Sequence, residues 1–391
     1  SGNVMTIPQS IVDFASDLTA IRQDLHAHPE LGFEEVRTSG IVAEQLRALG
    51  IEVTTGIGKT GVVGVLKGHR PGRAIGLRAD MDALPIHEQT NLPYASRNAG
   101  VMHACGHDAH TTILLGAARY LAANRDFSGT AVFIFQPAEE GLGGARRMIA
   151  EGLFDRFPCD EIYALHNSPY HPAGVIGVRP GPAMAGANFF DITITATGCH
   201  AAAPHTGIDS IVIATSLVQQ LQSIVARNVS ASQQIVLSVT QIHAGAAYNV
   251  IPETATLAGT VRYFDRDLAN TVTQRMQALC DGAALAYGVE ITLSMRNVFD
   301  VLENDPALSE AMIGVAQTLV SREAAQLRTE QVMGSEDFSD MLQVVPGAYC
   351  TIGHNGNVPL HNPGFVLDDE ILPLGVALMA RMVEARGAVQ G

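Results

Sequence analysis

The 391-residue chain lacks the features that define several protein classes. Its cysteines are odd in number and widely spaced, which argues against a disulfide framework and favours reduced thiols. No run of about 18 apolar residues occurs, so no membrane-spanning segment is predicted. A secretory signal has a basic region followed by an apolar one, and the first residues of this sequence have neither. A cytoplasmic location is therefore expected.

Basic residues are also scarce. The chain has 24 Lys and Arg against 39 Asp and Glu, for a formal net charge of −15. This charge argues against nucleic acid as a main partner. A hydrophobic content of 47% and a charged content of 16% are typical of a folded globular protein. The length predicts two domains rather than one.

The strongest chemical signal is Val101–Thr112, with the sequence VMHACGHDAHTT. Five metal-ligand side chains occur there within eight positions: His103, Cys105, His107, Asp108 and His110. Cys105 and His107 precede a predicted helix and are close enough in sequence to bind one ion. Thiolate and imidazole suit Zn²⁺ or another late first-row divalent metal. Two ligands do not complete a site, so other segments must supply the rest.

Three apolar segments read as buried strands that alternate with helices: Ala74–Arg78, Thr130–Phe135 and Glu161–Leu165. Polar residues follow each strand. The carboxyl ends of strands in an α/β sheet form the crevice where ligands bind. We therefore expect these side chains at one edge, beside the cysteine and histidine of the loop: Asp80, Asp82, Glu139, Glu140 and His166.

Residues 185–297 have a different pattern, in which half-exposed strands alternate with two long helices. The predicted order β-α-β-β-α-β is that of a ferredoxin-like sandwich. The predicted fold is thus an α/β catalytic domain, with a central mixed sheet flanked by helices, and an inserted α+β domain. The catalytic domain is discontinuous and comprises residues 1–184 and 298–391.

One tetrahedral ion needs fewer donors than the sequence offers, which are Cys105, His107, Glu139, Glu140, His166 and His361. A pair of ions would use them all and would lower the pKa of bound water toward about 7. Because neighbouring side chains of an extended segment point different ways, one of Glu139 and Glu140 can bind metal while the other acts as a general base. General-base catalysis contributes ~10²–10⁴ in rate. The donor types admit Zn, Mn, Co or Ni.

Ten motifs occur in order along the chain: RQDLHAHPELGFEE (22–35), RADMDALP (78–85), MHACGHDAHT (102–111), QPAEEG (136–141), LHN (165–167), GCHAAAPH (198–205), YNVIPE (248–253), GTVRYF (259–264), GSEDF (334–338) and LHNPGF (360–365). In these motifs the chain resembles the hippurate hydrolase and indole-3-acetyl-amino-acid hydrolase branch of the dinuclear metallo-amidohydrolases, which include carboxypeptidase G and the aminoacylases. The resemblance implies cleavage of N-acyl amino acids and a dimerisation role for the inserted domain. A homodimer or a homotetramer is expected.

The resemblance also implies roles for single residues. The implied metal ligands, with the cysteine in the bridging position, are Cys105, His107, Glu140, His166 and His361. Glu139 matches the general base that receives a proton from a metal-activated water. Asp82 matches a carboxylate that orients the site.

Three residues of the inserted domain match substrate-binding positions. His200 matches a histidine that polarises the substrate carbonyl in the neighbouring subunit, and His205 in the same loop remains an alternative. Asn249 and Arg262 match positions that bind the substrate carboxylate, for which a guanidinium is well suited.

Other functions stay open at this point. The chain could be a metallo-carboxypeptidase or dipeptidase, or a metal-binding relative without turnover. A thiol hydrolase that uses Cys105 is disfavoured because the thiolate would bind a metal ion together with the flanking ligands. The acyl group, the amino acid and the metal are not defined by the sequence.

Overall fold

The computed structural model describes residues 5–389. These residues fold into two compact units. Unit 1 contains the described residues up to Ala183, Leu302–Glu330, and the described residues from Glu336 onward. Unit 2 contains Met184–Val301 and Gln331–Ser335. Within the described part of the chain, no helix has the length and apolar character needed to cross a membrane.

Residues 5–389 form eleven α-helices: α1 (Gln9–Asp13), α2 (Ala15–Ala27), α3 (Val36–Ala48), α4 (His107–Ala123), α5 (Gly144–Ala150), α6 (Leu153–Arg156), α7 (Ser210–Asn228), α8 (Arg266–Tyr287), α9 (Pro306–Ala316), α10 (Phe338–Leu342) and α11 (Leu372–Gly387). Short 3₁₀ turns occur at Pro204–Thr206 and Asp369–Ile371.

The same residues form sixteen β-strands: β1 (Glu52–Ile57), β2 (Gly61–Lys67), β3 (Arg70–Asp80), β4 (Ser128–Gln136), β5 (Glu161–Ser168), β6 (Ile176–Val178), β7 (Gly181–Met184), β8 (Gly186–Thr195), β9 (Cys199–His200), β10 (Ile235–Ala244), β11 (Val250–Ile251), β12 (Thr254–Tyr263), β13 (Glu290–Phe299), β14 (Leu302–Asn304), β15 (Ala325–Leu327) and β16 (Gly347–Gly353).

Unit 1 is built around a mixed eight-stranded sheet with the strand order β1-β2-β4-β3-β5-β16-β6-β15. The central pairs β4–β3, β3–β5 and β5–β16 are parallel, whereas β1–β2, β2–β4 and β16–β6 are antiparallel. Every residue of β5 is buried, as expected for a parallel strand covered on both faces. Helices α4 and α11 pack together on this sheet and contribute to the main hydrophobic core. The predicted central mixed sheet flanked by helices is confirmed.

The central strands extend further than the apolar segments of the sequence indicate. Strand β3 continues to Asp80, which pairs with Gln136 of β4. Strand β5 continues past His166 to Ser168, which pairs with Gly353 of β16. Because the parallel ladder continues, Asp80 and His166 lie within their strands rather than in the loops that follow.

Unit 2 contains a four-stranded antiparallel sheet with the order β10-β12-β8-β13. Along the chain its main elements follow the order β-α-β-β-α-β, as the sequence predicts. Phe190, Ile192 and Ile194 alternate with polar residues on β8 and are buried in the core of this unit, to which α7 and α8 contribute. Both helices begin with an aspartate cap, Asp209 and Asp265, whose side chains accept backbone amide hydrogen bonds. A role of this unit in dimerisation stays a prediction.

Candidate metal centre

The first candidate ligand segment is fixed by the glycine that directly precedes α4. Gly106 has a φ of 77°, and a Cβ at this position would lie 2.1 Å from Nδ2 of Asn167. Only glycine therefore fits between the loop and β5. The Asn167 side-chain amide donates to the carbonyl of Cys105 over 2.8 Å. This contact holds Cys105 and His107 next to the end of β5.

The histidine of β5 is presented in one tautomer. Nδ1 of His166 lies 2.7 Å from the carbonyl oxygen of Asn167, so Nδ1 donates its hydrogen there. Nε2 is then the unprotonated nitrogen that can bind a cation. It lies 3.5 Å from Sγ of Cys105. Burial, together with the nearby His110, lowers the pKa of His166 well below its usual value, which favours the same neutral form.

The predicted ligands of unit 1 lie together in overlapping groups. The donor atoms of Cys105, His107 and His166 lie within 4.8 Å of one another, and so do those of Cys105, Glu140 and His361. Cys105 belongs to both groups, which is the arrangement that a bridging thiolate requires. A third group joins His107 to Glu139 and Glu140. The structure thus brings together all six side chains of unit 1 that were predicted as ligands or base.

Two donor atoms in these groups have charged neighbours but no hydrogen bond within the described part of the chain. Nε2 of His107 and Oε1 of Glu140 are buried and have no hydrogen-bond partner among the described residues. An unsatisfied buried polar atom costs about 1–3 kcal/mol, so such atoms normally bind something. Thiolate, imidazole and carboxylate are the donor types of zinc and related divalent metals. The residues present therefore fit a divalent metal centre.

His361 differs from the other candidates because its side chain is 53% exposed. Its φ is 66°, a left-handed conformation that is uncommon outside glycine. Its amide donates to the carbonyl of Ala104 over 2.8 Å, which connects this distant loop to the segment before Cys105. Nε2 of His361 lies 3.4 Å from Oε1 of Glu140, and this contact raises the pKa of His361.

Asp82 contacts two of the candidate ligands at once. Its Oδ1 lies 3.1 Å from Nδ1 of His107, and its Oδ2 accepts from the amide of Glu140 over 3.0 Å. With Nδ1 engaged by Asp82, the Nε2 of His107 faces the other donors. The carboxylate thus fixes the orientation of one imidazole and the backbone of one glutamate.

The sequence places Asp80 at this edge of the sheet and gives His110 only a structural or supporting role, and both belong to the same buried network. Oδ1 of Asp80 lies 2.7 Å from Nδ1 of His110, and its Oδ2 lies 3.2 Å from Nε2 of His107. Nε2 of His110 accepts from the amide of Asn167 over 3.0 Å. These contacts connect β3, α4 and β5 directly beneath the ligands.

Glu139 lies in a crowded acidic environment. It is 5% exposed, and its donor atom lies within 4.8 Å of those of Asp80 and Glu336. Burial raises the pKa of Glu139 well above its usual value, and the charges of Glu336, Glu140 and Asp337 raise this pKa further. Glu139 thus has a stronger tendency to take up a proton than an ordinary glutamate.

A buried arginine, Arg78, neutralises part of the negative charge around Glu139. The sequence did not indicate this role. Nη2 of Arg78 donates to Oε2 of Glu336 over 2.9 Å and to Oδ1 of Asp337 over 3.1 Å. All three side chains are at most 1% exposed. Arg78 lies in the motif RADMDALP, and Glu336 and Asp337 lie in the motif GSEDF. The presence of charged residues in two family motifs was the only sequence feature that could have indicated this network.

The thiol-hydrolase alternative loses support from the surroundings of Cys105. Burial and the negative charge of Glu140 raise the pKa of this thiol above its usual value. Since the thiolate is the nucleophile, a thiol with a raised pKa is a poor one at neutral pH.

The other three predicted site residues lie in unit 2. His200 is exposed on β9, which pairs with β11, and the amide of Ala201 donates to the carbonyl of Asn249 over 2.9 Å. This pairing places His200 and Asn249 in one small exposed ribbon. Arg262 is half-buried on β12, where its Nη1 donates to Oγ of Ser335 over 2.8 Å. The roles of these three residues stay predictions.

The thiol, imidazole and carboxylate donors lie together at the carboxyl edge of the α/β sheet and fit a metal-dependent enzyme. Residues 76–385 match the sequence model of peptidase family M20/M25/M40, and the chain belongs to this family. It is a metal-dependent amidohydrolase, and the predicted family resemblance is confirmed.

Named relatives match nearly the whole chain. A hippurate hydrolase of Campylobacter jejuni is 39% identical over 97% of this chain and 98% of its own length. An N-acetylcysteine deacetylase of Bacillus subtilis is 39% identical over 94% of this chain and 96% of its own length. A crystal structure of a B. subtilis protein, described as a dinuclear metal binding peptidase of the M20 family, has a TM-score of 0.84 and 36% identity, and covers 96% of this chain and 99% of that one.

Proposed function

We propose that this protein hydrolyses the amide bond of N-acyl amino acids of the hippurate type, which releases a carboxylic acid and a free amino acid. One observation carries the proposal. Side chains from separate segments of unit 1 converge into overlapping donor groups around Cys105, with Glu139 beside them. The relatives named hippurate hydrolase and N-acetylcysteine deacetylase support this substrate class.

The proposed metal ligands are the five donors that the sequence indicates: Cys105, His107, Glu140, His166 and His361. They would hold two divalent ions of zinc, manganese, cobalt or nickel, with Cys105 shared between them. When bound, such ions lower the pKa of a coordinated solvent molecule and polarise the carbonyl of the amide. The thiolate, imidazole and carboxylate donors do not by themselves select one of these metals.

Glu139 is the proposed general base. Its carboxylate takes the proton from the water as the water oxygen forms a bond to the carbonyl carbon. The C–N bond then breaks, and Glu139 gives the proton to the leaving nitrogen. Glu139 is suited to this step because it is buried beside Glu140, and burial and the neighbouring carboxylates raise its pKa well above the usual value.

Residues of unit 2 are proposed to recognise the rest of the substrate. Arg262 and Asn249 would bind the carboxylate of the amino acid, for which the arginine would exchange its present contact with Ser335. His200 would polarise the substrate carbonyl in a neighbouring subunit of a homodimer or homotetramer. His205 is exposed in the same loop and is the alternative.

The test is a substrate panel with metal-reconstituted protein. It compares benzoyl-, acetyl- and indoleacetyl-amino acids with unblocked dipeptides of the same C-terminal residue. We expect the N-acyl amino acids to have the higher kcat/KM, with activity lost in EDTA and restored by Mn²⁺ or Zn²⁺. Higher kcat/KM for the dipeptides would identify a dipeptidase or carboxypeptidase. Full metal loading without turnover of any amide would identify a non-catalytic metal-binding protein.

A further inference from the structure

The residue before Glu139 and Glu140 has an unusual backbone conformation. Ala138 has a φ of 52°, in the left-handed region that residues with a Cβ rarely adopt. It lies where the chain leaves β4, so its conformation sets the direction in which the next two side chains point. Such a conformation persists only when the surroundings over-determine it. The contacts of Ala138 therefore decide how Glu139 and Glu140 are aimed.

Two neighbouring glycines hold the side chain and the carbonyl of Ala138. The amide of Gly144 donates to the Ala138 carbonyl over 3.0 Å. A Cβ at Gly32 would lie 3.0 Å from both Cα and Cβ of Ala138, so the chain at Gly32 packs closely against this residue. Both contacts leave the amide of Ala138 free for another partner.

That partner is the carboxylate of Glu35, which is far away in the sequence. The Ala138 amide donates to Oε2 of Glu35 over 2.8 Å, and the hydroxyl of Thr60 donates to Oε1 over 3.0 Å. Glu35 is completely buried. A buried carboxylate requires hydrogen-bond donors, and these two contacts supply one donor for each oxygen.

A helix-capping role does not explain Glu35. Although Glu35 directly precedes α3, its side chain makes no capping hydrogen bond to this helix. Glu30 performs that task instead, because its carboxylate accepts from the amides of Arg37 and Thr38 over 2.8 and 2.7 Å. The carboxylate of Glu35 is thus available for the turn at Ala138.

We propose that Glu35 is a positioning residue for amide hydrolysis, because its bond to the Ala138 amide fixes the directions of Glu139 and Glu140. Asp82 accepts from the amide of Glu140 over 3.0 Å. Two buried carboxylates, Glu35 and Asp82, therefore bind alternate amides of a single turn. The inference rests on the roles proposed above for Glu139 and Glu140.

The test compares Glu35→Leu, which removes the acceptor, with Glu35→Gln, which keeps one, and Glu35→Asp, which shortens the reach. Glu34→Leu is the matched control, since Glu34 is the exposed neighbour. Three quantities are measured: amide hydrogen exchange of the segment 136–141 in metal-free protein, the Kd for Mn²⁺, and the separate values of kcat and KM.

For Glu35→Leu and Glu35→Asp we expect amide hydrogen exchange of this segment to become about tenfold faster, because the hydrogen bond between Ala138 and Glu35 stabilises the segment locally. Displacement of Glu140 should weaken Mn²⁺ binding by ~10–100-fold. Misalignment of Glu139 should lower kcat by about 10² while KM stays within about twofold. Glu35→Gln should recover all three values to within about threefold, because its amide oxygen can still accept from Ala138. The Glu34→Leu control should match the wild type.

Wild-type exchange, Mn²⁺ affinity and kcat in folded Glu35→Leu or Glu35→Asp would overturn the proposal. Equal losses in Glu35→Gln and Glu35→Asp would also overturn it, since the acceptor would then be irrelevant. If Glu35→Leu does not fold, Glu35→Asp against Glu35→Gln gives the same comparison. A wrong assignment of the base would appear separately, as normal turnover of Glu139→Gln. Amide exchange and Mn²⁺ binding of the Glu35 variants would still test the role of the bond between Glu35 and Ala138.

Discussion

The candidate residues of the two units differ in how firmly the fold holds them. In unit 1, Cys105, His107 and His166 are 6%, 0% and 8% exposed. In unit 2, His200 and Asn249 are exposed on the short β9–β11 ribbon. A metal ion requires donors that the fold already holds in position, whereas a substrate can be bound by exposed side chains that change conformation. We therefore expect substitutions of the proposed ligands and their supporting residues in unit 1 to change stability or metal binding as well as rate, and those in the ribbon to change rate alone.

The largest expected effect comes from the proposed base. Glu139→Gln should lower kcat by about 10³–10⁴, because the amide cannot accept the proton of the attacking water. Metal content should stay at the wild-type value, since Glu139 is not a proposed ligand. Steady-state kinetics and metal analysis on one preparation measure both quantities. Normal turnover in this variant would show that another group is the base.

The next effect concerns the stability of unit 1. Arg78→Leu leaves the buried carboxylates of Glu336 and Asp337 without their partner, which should lower the free energy of unfolding by about 3–5 kcal/mol. The control is Arg70→Leu, which removes an exposed pair with Asp126 and should change stability by less than about 1 kcal/mol. Urea unfolding measures both variants. Equal losses in the two variants would contradict the description of Arg78 as the buried counter-charge.

A ribbon substitution should separate rate from stability. His200→Ala should lower kcat by ~10²–10³, the usual effect of losing a donor that stabilises the developing oxyanion. Tm and metal content should not change, because the side chain is exposed. His205→Ala in the same loop is the matched control and should retain the wild-type kcat. If the two variants exchange these results, His205 rather than His200 has the proposed role.

The smallest effect is a pH dependence of stability in unit 1 that depends on the buried His26. His26 lies 2.9 Å from Asp108 and 2.8 Å from Glu88, and it is 3% exposed. Burial opposes its protonation, but these carboxylates outweigh burial and raise the pKa of His26 to about 9. A pKa that is higher in the folded state gives stability that is complete below pH ~6.5 and is lost as the pH rises toward 9.

Stability should thus fall by on the order of 2 kcal/mol over that interval, and His26→Gln should remove most of this fall. Urea unfolding at pH 6, 7.5 and 9 measures it. His28→Gln serves as the control, because it removes a partly buried histidine whose ring contacts Asp24 instead of Asp108 and Glu88. A wild-type slope in His26→Gln would assign the pH dependence to other groups.

Local patterns were sufficient to predict the fold class and the first candidate ligands. Strands without polar interruptions indicate a covered parallel sheet, and strand ends in such a sheet converge at one edge. Cys105 and His107 could be predicted because they are neighbours in the sequence. His361 could be predicted only from the family motif, since nothing local connects it to the other candidate ligands.

The supporting network could not be predicted in the same way. Arg78 and Glu336 are 258 positions apart, and Glu35 and Ala138 are 103 apart. A single charged residue in a sequence looks like a solvent-exposed one, and only the fold shows that its partner is buried beside it. Backbone strain at Ala138 has no sequence signature either, because alanine is common in helices, strands and turns and nothing in the sequence marks this position as left-handed.

The account depends most directly on the claim that separate segments of unit 1 bind a pair of ions. Crystals of protein loaded with Mn²⁺ or Zn²⁺, with anomalous diffraction at the metal edge, test this claim. We predict two anomalous peaks per chain, both within coordination distance of Cys105 and surrounded by His107, Glu140, His166 and His361. A fully loaded crystal with no anomalous peak among these side chains would contradict the account.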